Sequence, residues 1–127
     1  MYTSEDVEMV IHGKHTTLFT YAWDEEYLHV HMQIDDDLMS MLLSKENAEL
    51  LRDTLDVFLE GGYTSDDVDM WVHGKHTTLS TCACNEEYLH VYMQDDYYGM
   101  GMLLSKQQAE LLRDTLDVFL EGGYIHE

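Results

Sequence analysis

The sequence predicts an α+β protein built from two tandem β-β-β-β-α units, each an antiparallel sheet carrying one helix. Three observations lead there. Residues 2–62 are written again at 63–123, with 45 of the 61 positions identical. Each copy opens with short alternating apolar and polar runs broken by turn signals, the mark of half-buried strands. Each copy then closes with one apolar stripe of helical period. A 61-residue period with two copies reads as a duplicated domain, not a solenoid. The units are placed at 1–62 and at 63–127, the second with a short C-terminal tail.

In copy 1, Asp6–His12 reads as a strand and Gly13-Lys14 as a two-residue turn. His15–Trp23 is its partner, which pairs Met9 with Leu18 and Val10 with Thr17. The loop Asp24-Glu25-Glu26 leads to a third strand, Tyr27–Ile34. Its Leu28, Val30 and Met32 then lie beside Ala22, Thr20 and Leu18, while His29 and His31 lie beside Tyr21 and Phe19. After Asp35-Asp36-Asp37, Leu38–Leu43 gives a fourth strand. Ser44 caps a helix that runs to about Glu60, where Gly61 stops it. In copy 2, Ser105 with Gln108 makes a capping-box pattern. Leu51, Leu55 and Phe58, flanked by Ala48 and Leu59, form the buried stripe of the helix.

The 16 differing positions say which face each copy was free to change. Val7, Met9, Leu18, Thr20, Leu28, Val30 and Met32 are all kept in copy 2, so they belong to the helix-covered face. On the other face Phe19, Tyr21 and Trp23 become Ser80, Cys82 and Cys84, and Leu38 and Ser40 become Gly99 and Gly101. Val10 and His31 grow, to Trp71 and Tyr92. Large residues of one copy thus match small ones of the other. This predicts a pseudo-two-fold α/β/β/α sandwich with the two variable faces interdigitated. A 61-residue unit is near the lower limit of independent stability. The units are therefore expected to pack on each other or on a second chain, as a homodimer would.

Composition bounds the function. With 6 Lys+Arg against 26 Asp+Glu, the net charge is −20. Such a surface repels nucleic acid and anionic membrane and suits a cationic partner. Neither a signal-like apolar run nor a membrane-length stretch is present, and Cys82 and Cys84 are spaced too far along one strand for a relaxed disulfide. An intracellular, cytoplasmic location with reduced thiols is expected, the host cytoplasm if a phage encodes the chain. No cofactor is expected. The His12-Gly13-Lys14-His15 loop reads as a solvated hairpin turn, and no enzyme signature accompanies it. No metal site is expected either; its ligands would have to come from Cys82, Cys84, His73 and His90, without the spacing of a zinc knuckle.

The acidic pattern carries the functional expectation. Glu46, Glu49, Asp53, Asp56 and Glu60 recur every three or four residues along one helix face, and copy 2 repeats them as Glu110, Asp114, Asp117 and Glu121. Asp35, Asp36 and Asp37 add a cluster in copy 1, as do Asp95 and Asp96 in copy 2. Like charges at i,i+4 cost roughly 0.2–0.5 kcal/mol each, so a chain that keeps them twice is expected to use the field. By physical type it resembles the DNA-mimic inhibitors that phages direct against restriction and CRISPR complexes. That resemblance rests on charge and size, and no family motif accompanies it. It implies a non-enzymatic inhibitor whose partner is a basic, nucleic-acid-binding protein. The competing readings are an immunity protein against a basic toxin nuclease, or a metal- or ligand-binding module using the His/Cys/aromatic face.

Overall fold

The computed structural model describes residues 4–22 and 24–121. Trp23, at the end of the predicted second strand, and the C-terminal tail from 122 onward lie outside the described residues. The chain folds as two tandem β4α units of α+β class. Copy 1 contributes β1 (Met9–His12), β2 (Thr17–Ala22), β3 (Tyr27–Ile34), β4 (Asp37–Ser44) and α1 (Lys45–Glu60). Copy 2 contributes β5 (Met70–His73), β6 (Thr78–Ala83), β7 (Tyr88–Gln94), β8 (Gly99–Ser105) and α2 (Lys106–Glu121). Both sheets are antiparallel meanders, ordered β1-β2-β3-β4 and β5-β6-β7-β8.

The strand expected over Asp6–His12 begins instead as a turn of 3-10 helix, Ser4–Val7, before β1. Glu8 N–H donates to the Glu5 carbonyl, and the Thr20 hydroxyl donates to the Val7 carbonyl at 2.9 Å. That fold of the chain carries Val7 fully into the core. In copy 2 the same turn is closed by Thr64 and Asp67, whose carboxylate accepts the Thr64 N–H at 2.9 Å.

The first hairpin also differs from expectation. Its loop holds four residues, closed by Gly13 N–H to the Thr16 carbonyl at 2.8 Å, so Met9 pairs with Thr20 and Ile11 with Leu18. The shift is by two residues, which leaves every side chain on its predicted face because the strand period is two. The β2–β3 register stands as read: Leu18 faces Met32, Thr20 faces Val30 and Ala22 faces Leu28. The helix caps stand too. Ser44 accepts from Asn47 N–H at 3.1 Å, and Ser105 and Gln108 exchange hydrogen bonds as a capping box. Gly61 ends α1 at φ 79°, a left-handed conformation that suits glycine.

The layer order of the expected sandwich is overturned. The two helices pack against each other, and each also spans both sheets: α1 touches β3 and β4 of its own unit and β5 of the other, and α2 mirrors this. Helices on opposite outer faces of a sandwich could not meet. The predicted core face does lie under the helices, with Met9, Ile11, Leu18, Leu28, Val30 and Met32 buried together with Leu51, Leu55 and Phe58. The variable faces are turned outward, where Val10 is 54 % exposed and Trp71 61 %.

Complementary bulk turned out to operate within one face, not between two. Tyr92 of β7 sits opposite Gly101 of β8 and leans over its edge. A Cβ at Gly99 would lie 1.7 Å from the Tyr92 hydroxyl, and one at Gly101 would lie 2.6 Å from His90 Nε2. The enlargement of His31 to Tyr92 and the loss of Leu38 and Ser40 side chains are therefore one coupled change.

Each unit shields the other's edge strand. The β1–β2 loop reaches β8, where the Thr16 hydroxyl donates to the Gly101 carbonyl at 3.1 Å. A Cβ on Gly13 would meet Met102 Cε at 3.0 Å, and on Gly74 it would meet Met41 Cε at 3.1 Å. These approaches explain why both copies keep the glycine of this loop, and they lay one unit's loop along the other's edge strand.

The helix pair is antiparallel and reciprocal. Lys45, at the start of α1, donates to the Phe119 carbonyl near the end of α2 and stands 4.0 Å over the Phe119 ring. Lys106 does the same to the Phe58 carbonyl and ring. A lysine opening a helix is repelled by that helix's dipole, but here each lies on the negative end of its neighbour. Between these ends Arg52 pairs with Asp117 at 3.1 Å and Arg113 with Asp56 at 3.0 Å, each arginine also holding Asp53 or Asp114 at 2.9 Å. Replacing both arginines (Arg52→Met with Arg113→Met) is expected to cost roughly 1–2 kcal/mol in urea unfolding. The cost should shrink as salt screens the four abandoned aspartates, and an unchanged midpoint at low salt would refute this role.

Candidate functional site

Four of the chain's six Lys and Arg residues, Lys45, Arg52, Lys106 and Arg113, are thus spent on the helix seam. Burial lowers the Lys45 ammonium below the ordinary lysine range, with Glu25 pulling the other way. The remaining two, Lys14 and Lys75, sit exposed on the hairpin loops. The rest of the surface has almost no cation to temper its acids.

The predicted acidic stripe divides into two parts. Glu46, Glu49 and Glu60 of α1 are exposed and take no part in the ion pairs of the seam, as are Glu110 and Glu121 of α2. Asp53, Asp56, Asp114 and Asp117 line the two arginines, and Asp56 and Asp117 are half-buried. The sequence showed one uniform stripe because the partner of each arginine lies on the other helix, more than fifty residues away. Antiparallel pairing brings the two stripes side by side on one helix-pair surface.

The loop acids lie at the far ends of the sheets. Asp35 and Asp36 form the two-residue β3–β4 turn, with Asp35 at φ 51°, and Asp37 opens β4; all three are exposed. Asp95 accepts the N–H groups of Tyr97 and Tyr98, each at 2.8 Å, and those bonds hold its carboxyl below the usual range. Asp96 is exposed on the same four-residue loop. Asp24 and its counterpart Asn85 each accept two backbone N–H groups of their own loop, so that exchange preserves the turn while dropping a charge.

The outer sheet faces are chemically opposite. Among the described residues, the strand positions turned away from the helices carry no Asp, Glu, Lys or Arg. On sheet 1 they form an aromatic stack, with the Phe19 and His31 rings 4.6 Å apart and Tyr21 at 5.2 Å from His31. His31 is 7 % exposed, and among the described residues neither ring nitrogen has a hydrogen-bond partner. Burial, helped by the neighbouring His29, pushes its pKa down to about 4. His29 shares a hydrogen bond with the Tyr21 hydroxyl and is itself lowered by burial.

On sheet 2 the same face is open. Cys82 Sγ lies 3.8 Å from His90 Nδ1, and burial raises the Cys82 thiol. Cys84 is exposed, and His73 stacks beside Trp71 and meets the Thr78 hydroxyl at 3.3 Å. Of the four named metal candidates, Cys82 and His90 come together. Among the described residues no group of three His, Cys, Asp or Glu side chains converges on one point. No helix of the described chain is long and apolar enough to cross a membrane.

No known protein-family model matches the chain, and no curated protein is similar to it.

The buried neutral His31 makes a pH prediction. Its folded pKa lies below the ordinary 6.5, so the unfolded chain binds the extra proton first. Stability is then lost as pH falls from about 6.5 towards 4, at up to about 1.4 kcal/mol per pH unit. His31→Phe, with a ring of similar size, is expected to flatten this part of the urea-derived stability profile. An unaltered slope would place the pH dependence elsewhere.

Proposed function

We propose that the protein is a non-enzymatic inhibitor that covers a basic, nucleic-acid-binding surface of a partner protein with its acidic helix pair. The observation that carries this reading is charge segregation. Four of the six cations are drawn into the seam, which leaves Glu46, Glu49, Glu110 and Glu121 on one rigid surface with no Lys or Arg paired to them among the described residues. A field of that sign speeds encounter with a basic surface and disfavours other partners. Rigidity supports the same reading, since both helices are capped, buried along one stripe and tied to each other, so little ordering remains to be done on binding. A defence complex or a toxin nuclease with a cationic channel is the target class this surface suits.

The seam residues and the free acids separate binding from stability. Changing Glu46, Glu49, Glu110 and Glu121 together to Gln is expected to keep or raise the melting temperature, because repulsion is relieved. The same variant should weaken capture of a basic nucleic-acid-binding partner by at least about tenfold at physiological salt, and flatten the fall of affinity with salt concentration. Asp56→Asn with Asp117→Asn should do the reverse: lower the melting temperature and leave partner affinity nearly intact. Binding indifferent to salt, or retained in full by the quadruple variant, would sink the reading.

A further inference from the structure

Five of the 16 differences between the copies meet at one place. A groove of about 400 Å³ opens on the outer face of sheet 2, lined by Asp69, Trp71, Ser80, Thr81, Cys82, His90 and Tyr92. Five of those seven differ from copy 1, where Thr81 and His90 keep their counterparts Thr20 and His29.

The changes also act together. Trp71, Ser80, Tyr92 and Gly101 are cross-strand neighbours in a single row. In copy 1 the same row is Val10, Phe19, His31 and Ser40, and Phe19 fills the space by stacking on His31. Copy 2 removes the filler with Ser80, raises one wall with Trp71 and makes the other from Tyr92. Gly99 and Gly101 are what allow Tyr92 to lie back over β8, since a Cβ at either would meet its ring. Trp71 and Tyr92 stand on strands two apart, about 9.5 Å between backbones.

We infer that this groove is a binding site for an arginine side chain presented by a polypeptide. Trp71 borders the groove and is 61 % exposed, and an indole offers a cation the strongest π face among side chains. Asp69 lies at the mouth, close enough for its charge to act on Cys82, and among the described residues no Lys or Arg of the chain pairs with it. The guanidinium fits both features, because it is planar, stacks on rings and forks onto a carboxylate, whereas an ammonium is a compact, strongly hydrated point. A chain of net charge −20 favours any cationic visitor, but an uncharged outer face with one carboxylate at its groove selects where it settles. The site lies on the side of sheet 2 away from the helices, so it stands apart from the proposed acidic surface.

The test is titration of the full chain with three blocked tripeptides, acetyl-Gly-Xaa-Gly-amide, in which Xaa is arginine, lysine or the neutral isostere citrulline. The Trp71 indole resonance, assigned with Trp71→Phe, reports binding. The arginine peptide is expected to move that resonance saturably, the lysine peptide to bind several-fold more weakly and the citrulline peptide not to bind. Asp69→Asn should weaken the arginine peptide about tenfold. Ser80→Phe, which restores copy 1's residue on the floor, should abolish binding with the melting temperature retained, and Ser80→Ala should leave binding intact. The proposal is overturned if Trp71 does not respond, if citrulline binds as well as arginine, or if Asp69→Asn binds as tightly as the parent chain. The quadruple Gln variant separates the two sites. Peptide binding that survives it while partner capture is lost leaves both readings standing; peptide binding absent with salt-dependent capture intact removes the groove alone.

Discussion

Everything in this structure depends on two helices lying antiparallel and lending each other their cations. Lys45 and Lys106 would be misplaced on isolated helices, each at the positive end of its own dipole. Set across the pair, each finds the carbonyl-rich end of its neighbour and the ring of Phe119 or Phe58 beneath it. Arg52 and Arg113 cross the same seam to Asp117 and Asp56. The exchange is reciprocal at a spacing of 61 residues, so the duplicated helix is its own partner. This pairing stitches the two units into one core, because each helix then overlaps the sheet of the other copy.

The same constraint explains the charge distribution. A protein with 26 acids and 6 bases has few cations to place. Using four of them inside the seam stabilises the fold where carboxylates are closest and strips the surface of neutralising partners. The acid field seen from outside is therefore a consequence of how the helices hold together. Exposed ion pairs of this kind each contribute little, but a network that ties two helices also sets their register. On the other side of each sheet the described strand positions carry no charged side chain, and the two outer faces have diverged into a filled aromatic stack around His31 and an open groove beside Trp71.

Local structure was legible in the chain wherever a short-range rule governs it. Strand alternation assigned Leu18, Val30 and Met32 to the core and Val10 and Trp71 to the other face, and Ser44, Ser105 and Gly61 marked the helix ends. The hairpin register differs by two residues from the one Gly13-Lys14 suggests, because Gly13 serves a close approach to Met102 within a four-residue loop. The 3-10 turn at Ser4–Val7 went unseen, since its anchor is the Thr20 hydroxyl on another strand. Of the acidic stripe, Glu46, Glu49, Glu110 and Glu121 are exposed and outside the ion pairs of the seam. Asp56 and Asp117 could not be recognised as seam residues without knowing which arginine faces them.

The sequence by itself determined the duplication, the element order, the face of each strand and the excess of negative charge. These follow from local periodicity, capping chemistry and composition, which act within a few residues. The tertiary structure decided which layers touch. It turned the variable faces outward, placed the helices against each other and assigned the large-for-small exchanges to compensation around Tyr92. The physical reason is that volume matching has no direction in sequence. Phe19 against Ser80 and Tyr92 against Gly101 are equally complementary on paper, and only the packed coordinates show which pair shares a space.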